Sequence, residues 1–149
     1  MSPHLLLPEW PAPPGVRALC STRLGGVSQP PWDTFNLGDH VGDDPAAVAA
    51  NRAAWARALG ARPVFLRQVH GTETVRLDPA TPDGTEADAC VADAPGVACT
   101  IMVADCLPIL LCDERGIRVG AAHAGWRGLV GQGGHGVVES IAVRRVAWP

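Results

Sequence analysis

Short apolar runs bounded by Gly, Pro, Asn and Asp recur along this chain, and runs of this kind typically form strands. They predict strands at residues 16–21, 64–69, 74–77, 97–103, 108–112 and 117–122. A further short strand is expected within 81–93, and the Pro-rich first 16 residues predict a short strand or an arm. The loop at 22–43 is long and dense in turn-forming residues, a composition typical of functional loops.

One segment follows the helical period instead. Asp44 can cap its N-terminus, Pro45 suits its first position and Gly60 suits its end. Its apolar face recurs at helical spacing and consists of Val48, Trp55 and Leu59. A series of strands with one clear helix predicts an α+β fold with a mixed or antiparallel sheet.

The last segment is unusual because glycines crowd its beginning. We expect a helix there that is weakened at about 1 kcal/mol for each interior glycine. The glycines concerned are Gly131, Gly133, Gly134 and Gly136.

The composition narrows the function classes. The 149 residues are 47% hydrophobic and 18% charged, which is typical of a globular domain. The net charge of −3 provides no general electrostatic basis for binding nucleic acid or an anionic membrane. The longest apolar run, 97–112, contains Asp105 and Pro108 and is too short for a bilayer span. Five cysteines without an export signal predict a cytoplasmic protein that has no disulfide framework.

Three potential metal ligands lie far apart in the sequence, each at a predicted strand end: His70, Cys106 and His123. Strand ends can meet at one edge of a sheet, so these three side chains can share a site. Two imidazoles and a thiolate would leave one coordination position of a zinc ion open, as in catalytic zinc sites. The alternative is a buried cysteine with two histidines that only form hydrogen bonds at strand ends.

Two aspartates interrupt apolar segments. Asp105 lies within CTIMVADCLPILLC, where a carboxylate is costly unless it is paired. We interpret it as an orienting group or a general acid/base beside Cys106, with a turn cap as the alternative. Asp88 in TEADACVAD raises the same question, and there we expect a structural hydrogen bond to the backbone.

Four further residues are candidates for ligand binding. Arg23 and Asn36 lie on a glycine-rich loop, which can present a guanidinium and backbone N–H groups to an anion. Trp126 and Arg127 follow His123 in HAGWRG and can stack on and hold a ligand. The alternatives are ordinary turn chemistry for the first pair and packing at a helix start for the second.

Several motifs in order resemble the YfiH/laccase-domain family, also called polyphenol oxidase or purine nucleoside phosphorylase YfiH-like. They are TRLGGVS, FNLGDHVGDDP, RQVHGTETV, ADACVAD, ADCLPILLCD and AAHAGWRG. The resemblance runs from about residue 17 to residue 130, within one domain at 1–149. Family members continue beyond HAGWRG, so residues 131–149 are interpreted as an aberrant tail of a C-terminally truncated or frame-shifted member.

The resemblance implies a layered α/β/β/α sandwich, here incomplete at the C-terminus, with exposed strand edges and impaired activity. It implies zinc, with copper as the alternative, held by His70, Cys106 and His123. It also implies purine nucleoside phosphorylase activity on adenosine, inosine and methylthioadenosine, together with adenosine deaminase activity. The partners are then a purine nucleoside and phosphate, without nucleic acid or membrane.

The matched motifs also suggest roles for individual residues. Asp105 is the candidate proton relay, and Cys106 is the candidate catalytic thiolate as well as a metal ligand. The candidates for holding substrate are Arg23, Asn36 and Arg127.

Three other functions are compatible with the same residues. A cysteine with two histidines can hold copper in a polyphenol oxidase, although His4, His40 and His135 form no His-x-His pair for a multi-copper cluster. A metal-free cysteine hydrolase would use Cys106 as nucleophile and His123 as base. The last alternative is an inactive fragment.

Overall fold

The structure, a computed structural model, describes residues 2–146. The chain forms two compact units: residues up to 11 together with 17–62, and residues 12–16 together with those from 63 onward. The assignment of residues 1–149 to one domain stays a prediction. The elements in chain order are β1 (Leu5–Leu6), β2 (Cys20–Ser21), α1 (Pro45–Leu59), β3 (Arg62–Phe65), β4 (Thr74–Arg76), β5 (Ala89–Ala92), β6 (Val97–Thr100), β7 (Leu107–Cys112), β8 (Val119–Ala124), α2 (Trp126–Val130) and α3 (Val137–Val146).

Helix α1 of the first unit begins and ends where the sequence predicts. The Asp44 side chain accepts a hydrogen bond from the Ala46 N–H at 2.9 Å, and Pro45 follows the cap. Gly60 adopts the left-handed conformation, with φ of 67°, and its N–H donates to the Ala56 carbonyl. Because every signal here is local, the sequence alone was sufficient to place this helix.

The predicted strand at 16–21 is reduced to β2, which pairs antiparallel with β1. The register places Leu6 opposite Cys20, so the next residues along β1 would be Leu7 and Pro8. Pro8 has no N–H to donate, and the ladder ends before it. A proline outside the predicted run therefore shortened it.

The second unit contains a four-stranded sheet in the order β4-β5-β8-β7. β4 and β5 are parallel, whereas β8 is antiparallel to both β5 and β7. The sheet is mixed and the helices are few, which confirms the α+β class. Strand β7 forms one edge of the sheet, and Leu107 and Leu110 on it are exposed.

Alternating residues of β5 face two different layers. Ala89 and Val91 pack with the α3 residues Val137 and Ile141. Cys90 and Ala92 face a second cluster that includes side chains of β3 and β6. The sheet is thus covered by a helix on one face and by the two-stranded β3-β6 sheet on the other.

Strands β3 and β6 both end earlier than the runs at 64–69 and 97–103 that predicted them. The Gln68 side chain spans the gap instead. Its amide nitrogen donates to the Met102 carbonyl at 2.7 Å, and its carbonyl oxygen accepts from the Met102 N–H at 2.8 Å. A side-chain amide thus replaces a backbone pair just before His70.

The glycines of the last segment precede helix α3 rather than interrupting it. Gly131, Gly133 and Gly134 have φ of 59°, 60° and 82°, values that favour glycine in a turn. The expectation of a glycine-weakened helix is therefore wrong: the glycines form the turn that leads into it. Among the described residues, no helix combines the length and the apolar character that crossing a bilayer requires.

Helix α3 is expected to lose stability in acid. Its Glu139 accepts a hydrogen bond from the Gly136 N–H at 2.8 Å, and the N–H groups of Glu139 and Gly136 hold the pKa of this carboxyl below its ordinary value. A lowered folded-state pKa stabilises the fold above the unfolded-state pKa of about 4.3, and that gain disappears as pH falls through the folded-state pKa. Urea unfolding at several pH values should therefore give wild type a higher free energy of unfolding than Glu139→Gln at neutral pH. In strong acid the two free energies should be equal. Glu114→Gln, in the β7-β8 turn, is the control, and a pH-independent difference at Glu139 would contradict the assignment.

Candidate metal centre

Three side chains of the second unit converge as the sequence predicted. One nitrogen or sulfur donor from each of His70, Cys106 and His123 lies within 4.8 Å of the others. The Cys106 Sγ is 3.7 Å from His70 Nε2, and the two imidazole ring centres are 4.7 Å apart at an interplanar angle of 72°. The rings thus meet edge to face, with the thiol beside them.

The hairpin of β7 and β8 places two of these side chains together. Cys106 directly precedes β7, and His123 is the second-last residue of β8. The strands are antiparallel, with Leu107 opposite Ala124 and Pro108 opposite His123. The start of one strand and the end of the other therefore lie at the same end of the hairpin.

His70 reaches the site from a turn rather than from a strand end. It has φ of 60°, the only described residue other than glycine in the left-handed region. The backbone N–H groups of Val69, His70 and Gly71 all donate to the Asp88 carboxylate, at 3.1, 2.9 and 2.7 Å. These three hydrogen bonds hold the turn in the conformation that directs His70 toward the other two side chains.

Asp88 also contacts a second member of the group. Its Oδ1 lies 2.8 Å from His123 Nδ1, and both residues are buried, with 0% and 4% of their surface exposed. The expected backbone hydrogen bonds of Asp88 are present, but the contact with His123 was missed. It depends on the pairing of β5 with β8, which places Asp88 one residue beyond the Ala89–Ala122 pair. A carboxylate directly before a buried strand was the available signal.

Gly125 allows the backbone to pass close to the three donors. A Cβ at this position would lie 2.9 Å from His70 Cδ2 and 3.1 Å from Cys106 Sγ. Any larger residue would displace one of these side chains.

The donor set fits zinc. Zn–N and Zn–S bonds of about 2.0 and 2.3 Å at a tetrahedral angle place N and S roughly 3.5 Å apart, close to the 3.7 Å between His70 Nε2 and Cys106 Sγ. His123 is buried, Cys106 is half-buried and His70 is exposed, so the group is open on one side. An open side is where a catalytic zinc site admits its substrate.

A cavity of about 360 Å³ adjoins His70. Its lining includes Thr72, Gln132 and two residues of α2, Trp126 and Arg127. Trp126 is 68% exposed, and the Arg127 guanidinium lies 4.7 Å from the centre of its indole ring. An aromatic face and a cation therefore stand together beside the metal-binding group.

Asp105 does not meet the expectation that a carboxylate in this run must be buried and paired. It is exposed, because strand β6 ends at Thr100 and the chain runs at the surface from there to Cys106. The desolvation cost expected for a carboxylate in this run is therefore absent. Its position next to Cys106 remains as the basis for a role in proton transfer.

Arg23 and Asn36 belong to the first unit. The Arg23 guanidinium donates to the Asp33 carbonyl at 2.8 Å and forms an exposed ion pair with the same residue. The Asn36 amide donates to the Gly38 carbonyl and to the Asp43 carboxylate, and its oxygen accepts from the Gly38 N–H. Both side chains therefore stabilise their own loop.

These features define an α+β protein with a His-Cys-His group able to hold a metal ion. A family model described as multi-copper polyphenol oxidoreductase laccase matches residues 17–147, and the chain belongs to that family. This confirms the relationship inferred from the motifs, and the match extends past residue 130 to the end of α3.

Named relatives and solved structures support the same relationship. A Pseudomonas aeruginosa protein named purine nucleoside phosphorylase is 54% identical over 93% of this chain and 56% of its own length. The Escherichia coli purine nucleoside phosphorylase YfiH is 50% identical over 84% of this chain and 52% of its own. The crystal structure of a Neisseria meningitidis protein of family DUF152 has a TM-score of 0.85 and 47% identity over 93% of this chain and 56% of its own. The chain thus spans about half the length of these relatives.

Proposed function

We propose that this chain carries the metal centre of a zinc-dependent purine nucleoside phosphorylase that also deaminates adenosine. The observation that carries the proposal is the convergence of His70, Cys106 and His123 beside an open cavity. The relatives named purine nucleoside phosphorylase, at 54% and 50% identity, support the substrate class. The substrates are then a purine nucleoside, such as adenosine, inosine or methylthioadenosine, and phosphate.

Different side chains of the second unit would bind the metal and the substrates. His70, Cys106 and His123 would hold zinc, which supplies a Lewis acid at the cavity when bound. Trp126 offers an exposed aromatic face on which a purine can stack, and Arg127 beside it offers a guanidinium for phosphate.

Proton transfer is the remaining requirement. Phosphorolysis needs a proton for the departing base, and deamination needs one for the departing amine. The Asp105 carboxyl oxygen, one residue before Cys106 and exposed, is our proposed donor and acceptor.

Arg23 and Asn36 are our further candidates for binding an anion or a sugar. Binding through the Asn36 amide requires release of its hydrogen bonds to Gly38 and Asp43.

The direct test incubates the zinc-loaded chain with adenosine, with and without phosphate. Without phosphate we expect inosine alone. With phosphate we expect adenine and ribose 1-phosphate as well, together with hypoxanthine from phosphorolysis of the inosine, and chromatography separates these products. A zinc-loaded chain that yields neither adenine nor inosine would exclude this function.

Arg127→Ala is expected to raise the KM for phosphate by about tenfold or more, because a hydrogen bond to a charged group contributes roughly 1.5 to 3 kcal/mol. The zinc content should not change, since Arg127 is outside the His-Cys-His group. Arg115→Ala is the control, because this arginine lies in the turn at the opposite end of the β7-β8 hairpin. Equal phosphate KM values for the two variants would remove Arg127 from the substrate site.

The name of the matching family favours a second candidate, a copper-dependent polyphenol oxidase. Within residues 2–146, His70, Cys106 and His123 form the one group of three such side chains close enough to share a metal. Oxygen uptake with a phenol that increases in proportion to bound copper would support this candidate. Uptake independent of copper loading would exclude it.

A further inference from the structure

We propose that Asp88 is the positioning residue of the metal centre. Its buried carboxylate orients two of the three ligands, His70 and His123. It sets the tautomer of His123 and the backbone turn of His70. This inference deepens the proposed function, since it concerns the same centre, but its evidence is the hydrogen bonding of the chain without metal.

The carboxylate of Asp88 is fully occupied. Oδ1 receives the His70 N–H at 2.9 Å and lies 2.8 Å from His123 Nδ1, while Oδ2 receives the N–H groups of Val69 and Gly71. A carboxylate has about four acceptor positions, and four donors surround this one. Three of the four are backbone N–H groups that can only donate.

The contact with His123 determines which ring nitrogen is free. A carboxylate oxygen can only accept, so its approach to 2.8 Å from Nδ1 calls for the proton on Nδ1, and in the neutral imidazole the lone pair is then on Nε2. Nε2 is then the nitrogen that can bind a metal. The metal-free chain thus already has His123 in the tautomer that the centre needs, a common arrangement around metal-binding histidines.

The contacts with the turn have a separate effect. His70 has φ of 60°, a backbone conformation that residues with a Cβ rarely adopt. Three consecutive backbone N–H groups of this turn donate to one carboxylate. The approach is close, since a Cβ on Gly71 would lie 3.3 Å from Asp88 Oδ2. The carboxylate therefore compensates for the strained backbone that brings His70 to Cys106.

Asp88→Asn is the sharpest test because it keeps shape and removes one acceptor. In either orientation the new NH₂ faces donors: the N–H groups of Val69 and Gly71, or those of His70 and His123. Asp93→Asn is the matched control, since Asp93 follows the other end of β5 and pairs with Arg76 at the surface.

Three measurements distinguish positioning from a general loss of fold. The ¹⁵N shifts of the His123 ring in the metal-free wild type should show the proton on Nδ1, and in Asp88→Asn a population with the proton on Nε2. Amide hydrogen exchange at residues 69–71 should accelerate in the variant alone. Zinc affinity, measured by competition with a chelator, should fall by about 10- to 100-fold in Asp88→Asn and remain unchanged in Asp93→Asn.

Two results would overturn the inference. The first is a wild-type His123 whose ring proton is on Nε2. This measurement uses the wild type alone, so it tests the inference even if Asp88→Asn fails to fold. The second is a folded Asp88→Asn that binds zinc within twofold of wild type. A wild type that shows the Nδ1 tautomer and binds zinc but forms no nucleoside product would refute the proposed function and leave this inference in place.

Discussion

Replacing Cys106 with alanine is expected to lower the zinc affinity of the chain by about two to three orders of magnitude. Four-ligand structural zinc sites gain roughly 10 to 16 kcal/mol in all, which is about 2.5 to 4 kcal/mol for each ligand. Cys106 contributes the one thiolate of the group, with Sγ 3.7 Å from His70 Nε2. Equilibrium dialysis followed by metal analysis measures the loss, and the nucleoside turnover that we propose should disappear with the metal.

The control for this experiment is Cys112→Ala. Cys112 is also half-buried, but it is the last residue of β7 and lies at the far end of the hairpin from the metal-binding group. It should leave zinc binding unchanged. If Cys106→Ala retains one zinc per chain, the centre is assigned wrongly. If the metal-free wild type is active and Cys106→Ala is not, the cysteine hydrolase with Cys106 and His123 becomes the better account.

Asn51→Leu should destabilise the first unit by about 3 to 5 kcal/mol, because each buried polar group left unpaired costs about 1 to 3 kcal/mol. Asn51 is 0% exposed. Its amide donates to the Ser28 hydroxyl and to the carbonyls of Thr34 and Asn36, and its oxygen accepts from the Val27 N–H. One side chain of α1 thus organises the long loop, and leucine can satisfy none of these four partners.

Urea unfolding gives the stability difference, and hydrogen exchange at the Val27 amide locates it. Arg57→Leu is the control, because it introduces the same side chain at an exposed position of the same helix. Exposed substitutions usually change stability by no more than about 0.5 kcal/mol. A loss below 1 kcal/mol for Asn51→Leu would show that water satisfies the loop as well as the asparagine does.

The amino-acid sequence by itself determined the features that depend on near neighbours. Asp44, Pro45 and Gly60 placed α1 because a cap, a first-turn proline and a left-handed glycine act within a few residues. Apolar runs and turn residues likewise located β4, β7 and β8 to within two residues. The residue types at 70, 106 and 123 were sufficient to suggest a shared metal, since few side chains bind one.

Only the tertiary structure decided how that group is held. The Asp88–His123 contact follows from the register of β5 on β8, and the left-handed turn at His70 follows from three N–H groups closing on the same carboxylate. The exposure of Asp105 follows from the early end of β6, where Gln68 takes over the pairing. Each of these features joins segments that are far apart in the sequence. The pairing of such segments depends on the free energy of the whole sheet, so a local sequence pattern is not sufficient to predict it.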